Sequence, residues 1–336
     1  MNFDTHQYII RKTGSVQTET LCADPLIAWM YCNAREKAHW LFNALISREF
    51  SKVLAWLHYD VRHDLTRKQI ARILQELGIN SKEIADDVSC YRCLRDIFER
   101  KIRYADFRPM PDSPDAIVSP ADARILIGSF STTSAVFIKE KFFDYAELIG
   151  RDRHNWLSRF EHGDFAVFRL TPDQYHYNHV PVSGVVADHY EIPGRYHSCN
   201  PGAMVRTVTP LSKNRRIITV IDTDTDTGTR IGSVAMIEVV AMMIGDIVQC
   251  YSDIAYDDPR GVTKGMSLKK GQPKSLFRPG SSTTVLIFEK NRIRFSEDLM
   301  RNMFRRDISS RFSQGFGIPL VETDVRVRSE IGRRIF

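Results

Sequence analysis

Six of the ten histidines fall between positions 154 and 197, and two of them, His176 and His179, stand three apart in PDQYHYNHVPVSG. On a helix such a pair would set two imidazoles on one face, as in a zinc site. Asn178, Val180 and Pro181 argue against a regular helix there, and no third ligand follows at a motif spacing. The alternative is acid–base work, which suits a side chain that titrates near neutral pH. Downstream, RPGSSTTVLIFEKN (278–291) sets a Gly-Ser-Ser-Thr cluster against a strongly apolar strand. Small residues let the backbone bend sharply there and bring a serine hydroxyl close to a neighbouring carbonyl. The cluster is not a G-x-S-x-G elbow, because the second glycine is missing and the chain runs on into a strand. Upstream, Asp122 stands in VSPADARILI. Asp122, His179 and Ser282 are the types needed for a relay in which a carboxylate orients an imidazole and the imidazole activates a hydroxyl. Residue type alone does not single them out, since a chain of 336 residues offers many such triples.

Two other patterns carry less chemistry. Cys90 and Cys93 form a C-x-x-C in SCYRCLRDIFERK, but no second pair completes a zinc ribbon and no βαβ pattern surrounds them. They read as two unconnected thiols on a helical segment. The six cysteines are too scattered for a disulfide framework. DTDTDTGT (222–229) alternates three carboxylates like a calcium loop, yet Thr227 and Ser233 stand where an EF-hand needs Gly and Glu. It fits better as the polar turn of a hairpin between RRIITVI and IGSVAMI.

These residues need elements to position them. With 43% hydrophobic and 26% charged residues the chain can build a core, and its length suits about two domains or one large one. No run reaches the ~18 apolar residues of a membrane span, and the start, MNFDTHQYIIRKTG, lacks a signal-peptide h-region, so neither an integral helix nor secretion is expected. The charge of +6 permits an anionic partner without naming one. The first hundred residues read as helical. Asp24-Pro25 starts one helix, and Thr66 and Gln69 make a capping box on another, with Leu65 and Ile70 as staple and Gly78 after the last turn. Trp29, Trp40 and Trp56 lie among basic residues in this part and suit either packing onto the body or a lipid headgroup interface. From Ala116 short strand-like runs follow one another without helical patterns between them, which predicts antiparallel packing. The polar, basic stretch from 297 to 336 predicts one helix and a tail. The expectation is therefore an α+β chain: a helical region over 1–110, then a mainly antiparallel, sandwich- or barrel-like body over 111–336.

Five motifs in order give the chain a specific resemblance over almost its whole length. SPADA (119–123) is similar to S-P-A-D-G, and KEKFFDYAELIG (139–150) to K-x-x-x-(F/Y)-x-x-x-E-L-(L/I)-G. RLTPDQYHYNHVP (169–181) matches R-L-x-P-x-x-Y-H-x-x-H-x-P in full, Tyr196 to Pro201 resembles Y-x-x-N-P with one extra residue, and GSSTTVLIFEK resembles a G-S-T processing site. RKTG (11–14) and LRDIFERKIRYADFRPM (94–110) also look like the amino-terminal part of the same family. The chain thus resembles the pyruvoyl-dependent phosphatidylserine decarboxylase proenzymes. Ala123 departs from the pattern by replacing Gly, a change that would carry strain if the turn required a positive φ.

The resemblance implies no added cofactor and a pyruvoyl group made from the chain's own serine. Aligned backward from the VLIF strand that serine is Ser282, and aligned on Gly-Ser it is Ser281; the strand register favours Ser282. Asp122 would orient His179, and His179 would be the base for a single self-cleavage into 1–281 and 282–336. The new ketone would form a Schiff base with the amine of phosphatidylserine and take up electrons as CO2 leaves, and His176 would supply the proton that completes phosphatidylethanolamine. The partners implied are the lipid, an anionic membrane surface held peripherally on the cytoplasmic side, and the two fragments of the cut chain, with room for a homodimer; no nucleic acid and no metal are implied. An unprocessed, non-catalytic lipid-binding paralogue of the same fold is the competing reading.

Overall fold

The computed structural model describes residues 5–21, 24–61, 64–130, 142–242, 246–280 and 282–335. Sixteen strands are present among them. Near the start lie β1 (Gln7–Ile10) and β2 (Val16–Thr18). After the helical region come β3 (Ala116–Val118), β4 (Ala123–Ser129), β5 (Asp164–Leu170), β6 (Tyr177–His179) and β7 (Gly184–Ile192). Next are β8 (Arg216–Asp222), β9 (Ser233–Val240), β10 (Ile247–Gln249), β11 (Ser267–Leu268) and β12 (Pro273–Phe277). The last are β13 (Ser282–Phe288), β14 (Ile293–Phe295), β15 (Glu322–Val325) and β16 (Glu330–Arg334).

Ten of these strands form one open sheet in the order β11-β7-β8-β9-β13-β5-β4-β15-β1-β2, and two three-stranded sheets, β10-β12-β6 and β14-β16-β3, accompany it. The pairing is antiparallel except for β1 beside β15. The fold is therefore α+β with a mainly antiparallel body, as expected, and it closes into no barrel. The central strands β9 and β13 are buried along their whole lengths, which is why they read as unbroken apolar and β-branched runs. DTDTDTGT is the turn joining β8 to β9, with Asp222 opposite Ser233. Its carboxylates hold the turn's own backbone: Asp222 accepts from Asp224 N–H and Asp224 from Gly232 N–H.

Two expectations are corrected. Residues 7–18 are not helical but enter the large sheet as β1 and β2, turning at Gly14, whose φ of 70° suits glycine. The C-terminal stretch is not one helix and a tail. It carries two helices (Glu297–Met303 and Arg311–Phe316) and then β15 and β16. Val321, Thr323, Val325 and Val327 are all buried at a spacing of two, beneath a basic composition that hides the alternation.

The helical part behaves as its local signals predict. Helix Arg67–Glu76 begins with the Thr66–Gln69 capping box and is followed by Gly78 at φ 66°, and Leu65 packs with Ile70 in one cluster. Helix Asp24–Trp29 runs through a π-helical stretch, Met30–Ala34, into Arg35–Lys37, and His39–Leu45 and Arg48–Tyr59 follow. Met30, Tyr31, Ala34, Phe42 and Ile46 face the body. Trp29, Trp40 and Trp56 do not, being 46%, 76% and 55% exposed.

Candidate active site

Ser282 is the first residue of β13, at the middle of the large sheet, opposite Leu170 of β5 on one side and Val240 of β9 on the other. Gly280, at φ 139°, provides the bend just before it. Side chains two apart on a strand share a face, so Ser282 points the same way as Thr284. The Thr284 hydroxyl donates to Asn178 Oδ1 at 2.8 Å, and Asn178 Nδ2 reaches Ser275 Oγ at 3.3 Å. Ser275 in turn bonds Glu238, which forms a fully buried ion pair with Lys274 at 2.8 Å. This chain of bonds sets β6 and β12 against the face of β13 that carries Ser282. The hydroxyl of Ser282 is buried and meets no hydrogen-bond partner among the described residues. Ser281, the other candidate for the cut, lies outside the described residues.

His176 stands just before β6 and is fully buried. Its ring stacks on Phe98, from helix Leu94–Phe98, with centroids 3.6 Å apart, and neither ring nitrogen meets a partner in hydrogen-bond geometry among the described residues. Burial pushes its pKa well below the ordinary 6.5, and the charge of nearby Arg100 pushes it the same way; the Gln174 backbone opposes them weakly. The imidazole is therefore neutral at pH 7.

His179 is held differently. Its Nδ1 lies 2.9 Å from Gly271 O, and because a carbonyl only accepts, that nitrogen carries the proton. Nε2 is then the basic nitrogen, and it accepts from the Tyr175 hydroxyl at 2.9 Å. Burial lowers its pKa to about 3; Gly271 and, more distantly, Asp122 pull it up, while Arg328 and Arg108 push it down. Asp122 forms a forked pair with Arg108, at 3.0 Å from Nε and 2.7 Å from Nη2, and accepts from Val327 N–H at 2.8 Å. Backbone bonding brings the two segments together, since His179 N–H donates to Pro120 O at 2.7 Å.

The relay expected of Asp122, His179 and Ser282 is thus not made as a line of hydrogen bonds: none joins Asp122 to His179 or His179 to Ser282. Arg108 occupies the carboxylate, and Gly271 with Tyr175 occupies the imidazole. Asp122 acts on His179 through its charge. Ala123 carries no strain, for it opens β4 opposite Val325 and is not among the residues of positive φ. Arg100, Phe98, Arg108, Tyr175 and Asn178 were not singled out as functional from the sequence, although all five lie inside the motif segments 94–110 and 169–181. Cys90 and Cys93 are free thiols, and Cys93 occupies the N-cap of the helix that carries Phe98.

A cavity of about 530 Å3 opens between the helical front and the ends of β4 and β5, lined among others by His58, Leu77, Arg124, Leu170, Asp173 and Cys199. Leu170 is the strand partner of Ser282, and Cys199 Sγ lies 4.0 Å from the Ser282 carbonyl oxygen. The cavity is therefore lined by two residues that touch Ser282.

Comparison with known proteins identifies the family. The profile described as Phosphatidylserine decarboxylase matches residues 94–312, more than half of the chain. A phosphatidylserine decarboxylase proenzyme of Fusobacterium nucleatum is 29% identical over 309 residues, covering 90% of this chain and 93% of the relative. One of Chlamydia trachomatis serovar L2 is 29% identical over 329 residues, 97% of each chain, and one of Clostridium tetani is 25% identical over 86% of this chain and 90% of its own. On the profile match and this coverage, the chain belongs to the phosphatidylserine decarboxylase family.

Proposed function

We propose that the protein is a phosphatidylserine decarboxylase that matures by cutting itself before Ser282. The observation that carries the reading is a fully buried serine with an unpartnered hydroxyl, at a glycine bend, on the strand face against which the β6 segment carrying His176 packs. A buried hydroxyl without a partner costs about 1–3 kcal/mol, and such a cost is tolerated where the group has work to do.

In maturation the Ser282 oxygen adds to the carbonyl carbon of residue 281 and its proton passes to a neutral imidazole. His179, with Nε2 basic, is the residue we assign to this step, and Asp122 offsets part of the penalty for the charge it gains. The peptide C–N bond is exchanged for an ester. Loss of the Cα proton and cleavage of the Cβ–O bond then release residue 281 as a carboxylate. The dehydroalanine left at 282 takes up water and loses ammonia. The residues present fit the resulting pyruvoyl group: its site is buried, and no protein donor claims the position of the Ser282 oxygen. That group supplies the electron-accepting carbonyl that decarboxylation needs. The large and small fragments stay joined, because β13 pairs with β5 and β9 along seven residues on each side.

His176 is the residue we assign to proton movement on the lipid. As a neutral base it can take a proton from the serine ammonium, which must become an amine to react. It can then return that proton to the carbon that has lost CO2. We assign residues 24–110, together with their outward indoles, to the peripheral contact with an anionic, cytoplasmic membrane surface; Arg35, Lys37, Arg48 and Lys52 lie among those indoles in sequence. No helix among the described residues is long and apolar enough to cross a membrane. The unprocessed paralogue loses its main support, since Ala123 carries no strain.

A denaturing gel with intact mass tests the reading. Wild type gives fragments 1–281 and 282–336, the small one blocked at its N-terminus. Ser282→Ala leaves one chain, and His176→Ala is cut but releases no CO2. A single uncut chain in active protein overturns the proposal. Processing blocked by Ser281→Ala but not by Ser282→Ala moves the cut by one residue.

A further inference from the structure

Arg100 is a buried cation that no carboxylate pairs directly; Asp122 and Asp173 act on it only through space. It is 5% exposed, and no ion pair joins it to an acidic residue among the described residues. Its hydrogen bonds go to two backbone carbonyls, Ile97 O from Nη1 at 3.0 Å and Asp173 O from Nη2 at 2.8 Å. A guanidinium has five N–H donors, so three are unspent. Burying an unpaired charge is costly enough that proteins pair it or give it to a ligand.

The neighbouring charges do not supply the counter-ion. Asp122 is already forked onto Arg108, and Glu83 also pairs with Arg108 at 2.9 Å. Arg328 adds another cation, spent on the Tyr104 carbonyl. Around His176 and His179 the cations Arg100, Arg108 and Arg328 face one buried carboxylate, Asp122, while Glu83 is half-buried and Asp173 is exposed to solvent. Arg124 and Arg169, on the cavity side, are answered by Glu19 and Glu322.

Position gives the surplus charge a meaning. Arg100 stands two residues after Phe98, the ring on which His176 stacks, and its field acts on His176 directly. Its Nη2 is bonded to the carbonyl of Asp173, and Asp173 lines the cavity whose wall also holds Leu170 and Cys199 beside Ser282. One cavity thus touches both Leu170, the strand partner of Ser282, and Asp173, the residue that Arg100 holds.

Resting on the decarboxylase reading, the geometry points to Arg100 as the seat of the lipid's phosphodiester. The substrate carboxylate is the poorer occupant, because a guanidinium would hold in place the electrons that decarboxylation must move. An anion on Arg100 also offsets the repulsion that this cation adds to burial at His176, so His176 accepts its proton more readily with the lipid in place.

The test uses processed enzyme, dispersed phosphatidylserine and its methyl phosphotriester, in which the phosphate charge is removed. Wild type should lose at least tenfold in kcat/KM on the triester. Arg100→Gln should be cut into the same two fragments, show a KM for phosphatidylserine raised at least tenfold, and treat the two lipids alike. Arg100→Lys should recover part of the discrimination, and it stands in if the Gln variant does not fold. Equal use of both lipids by wild type, or undiminished discrimination by Arg100→Gln, overturns the seat. Wild type that releases no CO2 from phosphatidylserine overturns the decarboxylase reading instead.

Discussion

Two buried polar regions lie on this scaffold and are finished in opposite ways. At the β1, β5 and β15 end, Arg169 bonds Glu322 through Nε at 2.9 Å and Glu19 through Nη1 at 2.9 Å, and its Nη2 reaches both carboxylates. His6 completes the group: Nδ1 accepts from Arg311 N–H, so Nε2 carries the proton that Glu322 accepts at 2.8 Å. Three metal-type side chains converge there, yet a guanidinium fills the centre. Around Ser282 the same depth of burial leaves a hydroxyl and both nitrogens of an imidazole without partners among the described residues, and a guanidinium bonded only to two carbonyls. Burial is common to both regions, and what separates them is ion pairing, since Arg124 Nε is left over even in the first. A saturated network holds strands together, whereas an unsatisfied one is complementary to something not yet bound.

The largest way to break that contrast is to cut the saturated network. Arg169→Met strands Glu19 and Glu322 in the sheet and should cost about 3–5 kcal/mol of stability, read by urea unfolding. His176→Leu removes a polar group that has no partner to lose. It should stay within about 1 kcal/mol of wild type while abolishing CO2 release. Equal losses from the two variants would erase the distinction between the regions.

How much of this was legible in the sequence follows the reach of each interaction. The Thr66–Gln69 cap and the turn between β8 and β9 are settled by neighbours in the chain, and they stand where they were read. Ser282, His176, His179 and Asp122 were picked out by type, order and resemblance. What they bond to was not legible, because the partners come from afar: His179 meets a carbonyl 92 residues away, and Asp122 is claimed by Arg108. Arg100 looked like one more base in FERKIRY, and only the missing carboxylate distinguishes it. The C-terminal strands were hidden for another reason: their few apolar residues are separated by Glu322, Asp324, Arg326 and Arg328, so the composition read as a tail.

A medium effect sharpens the contrast through pH. His176 and His179 both have folded pKa values below the 6.5 of a free imidazole, about 3 for His179. The unfolded chain therefore binds protons that the folded chain refuses. The stability they contribute is full above pH 6.5 and is lost as pH falls from 6.5 toward 3. Between pH 6.5 and 5 each imidazole should cost about 2 kcal/mol. Urea unfolding at pH 7.5 and pH 5 measures a sum to which His197, lowered to about 4 by burial, and His189 also contribute, and His176→Leu should reduce the loss by about 2 kcal/mol. An unchanged slope in that variant would mean that His176 is not buried as an unpartnered base.

The smallest effect comes from inside the saturated region. Two guanidiniums, Arg124 and Arg169, face two carboxylates, Glu19 and Glu322, so a third carboxylate is one too many. Asp324, opposite Arg124 in the sheet, is that third group. Burial raises its pKa to about 7; Arg124 opposes this, and Asp122 and Asp173 add to it. Here the folded chain holds a proton that the unfolded chain releases near 3.8. The stability this contributes is full below pH 3.8 and is lost as pH rises through 7. Asp324→Asn keeps the oxygen that accepts from Gln174 Nε2 at 3.2 Å and removes the charge. At pH 8 it should gain on the order of 1–2 kcal/mol, since partial exposure screens the site, and near pH 4 it should match wild type. A gain independent of pH would mean that the cluster tolerates a third charge, and charge balance would then not be what finishes this region.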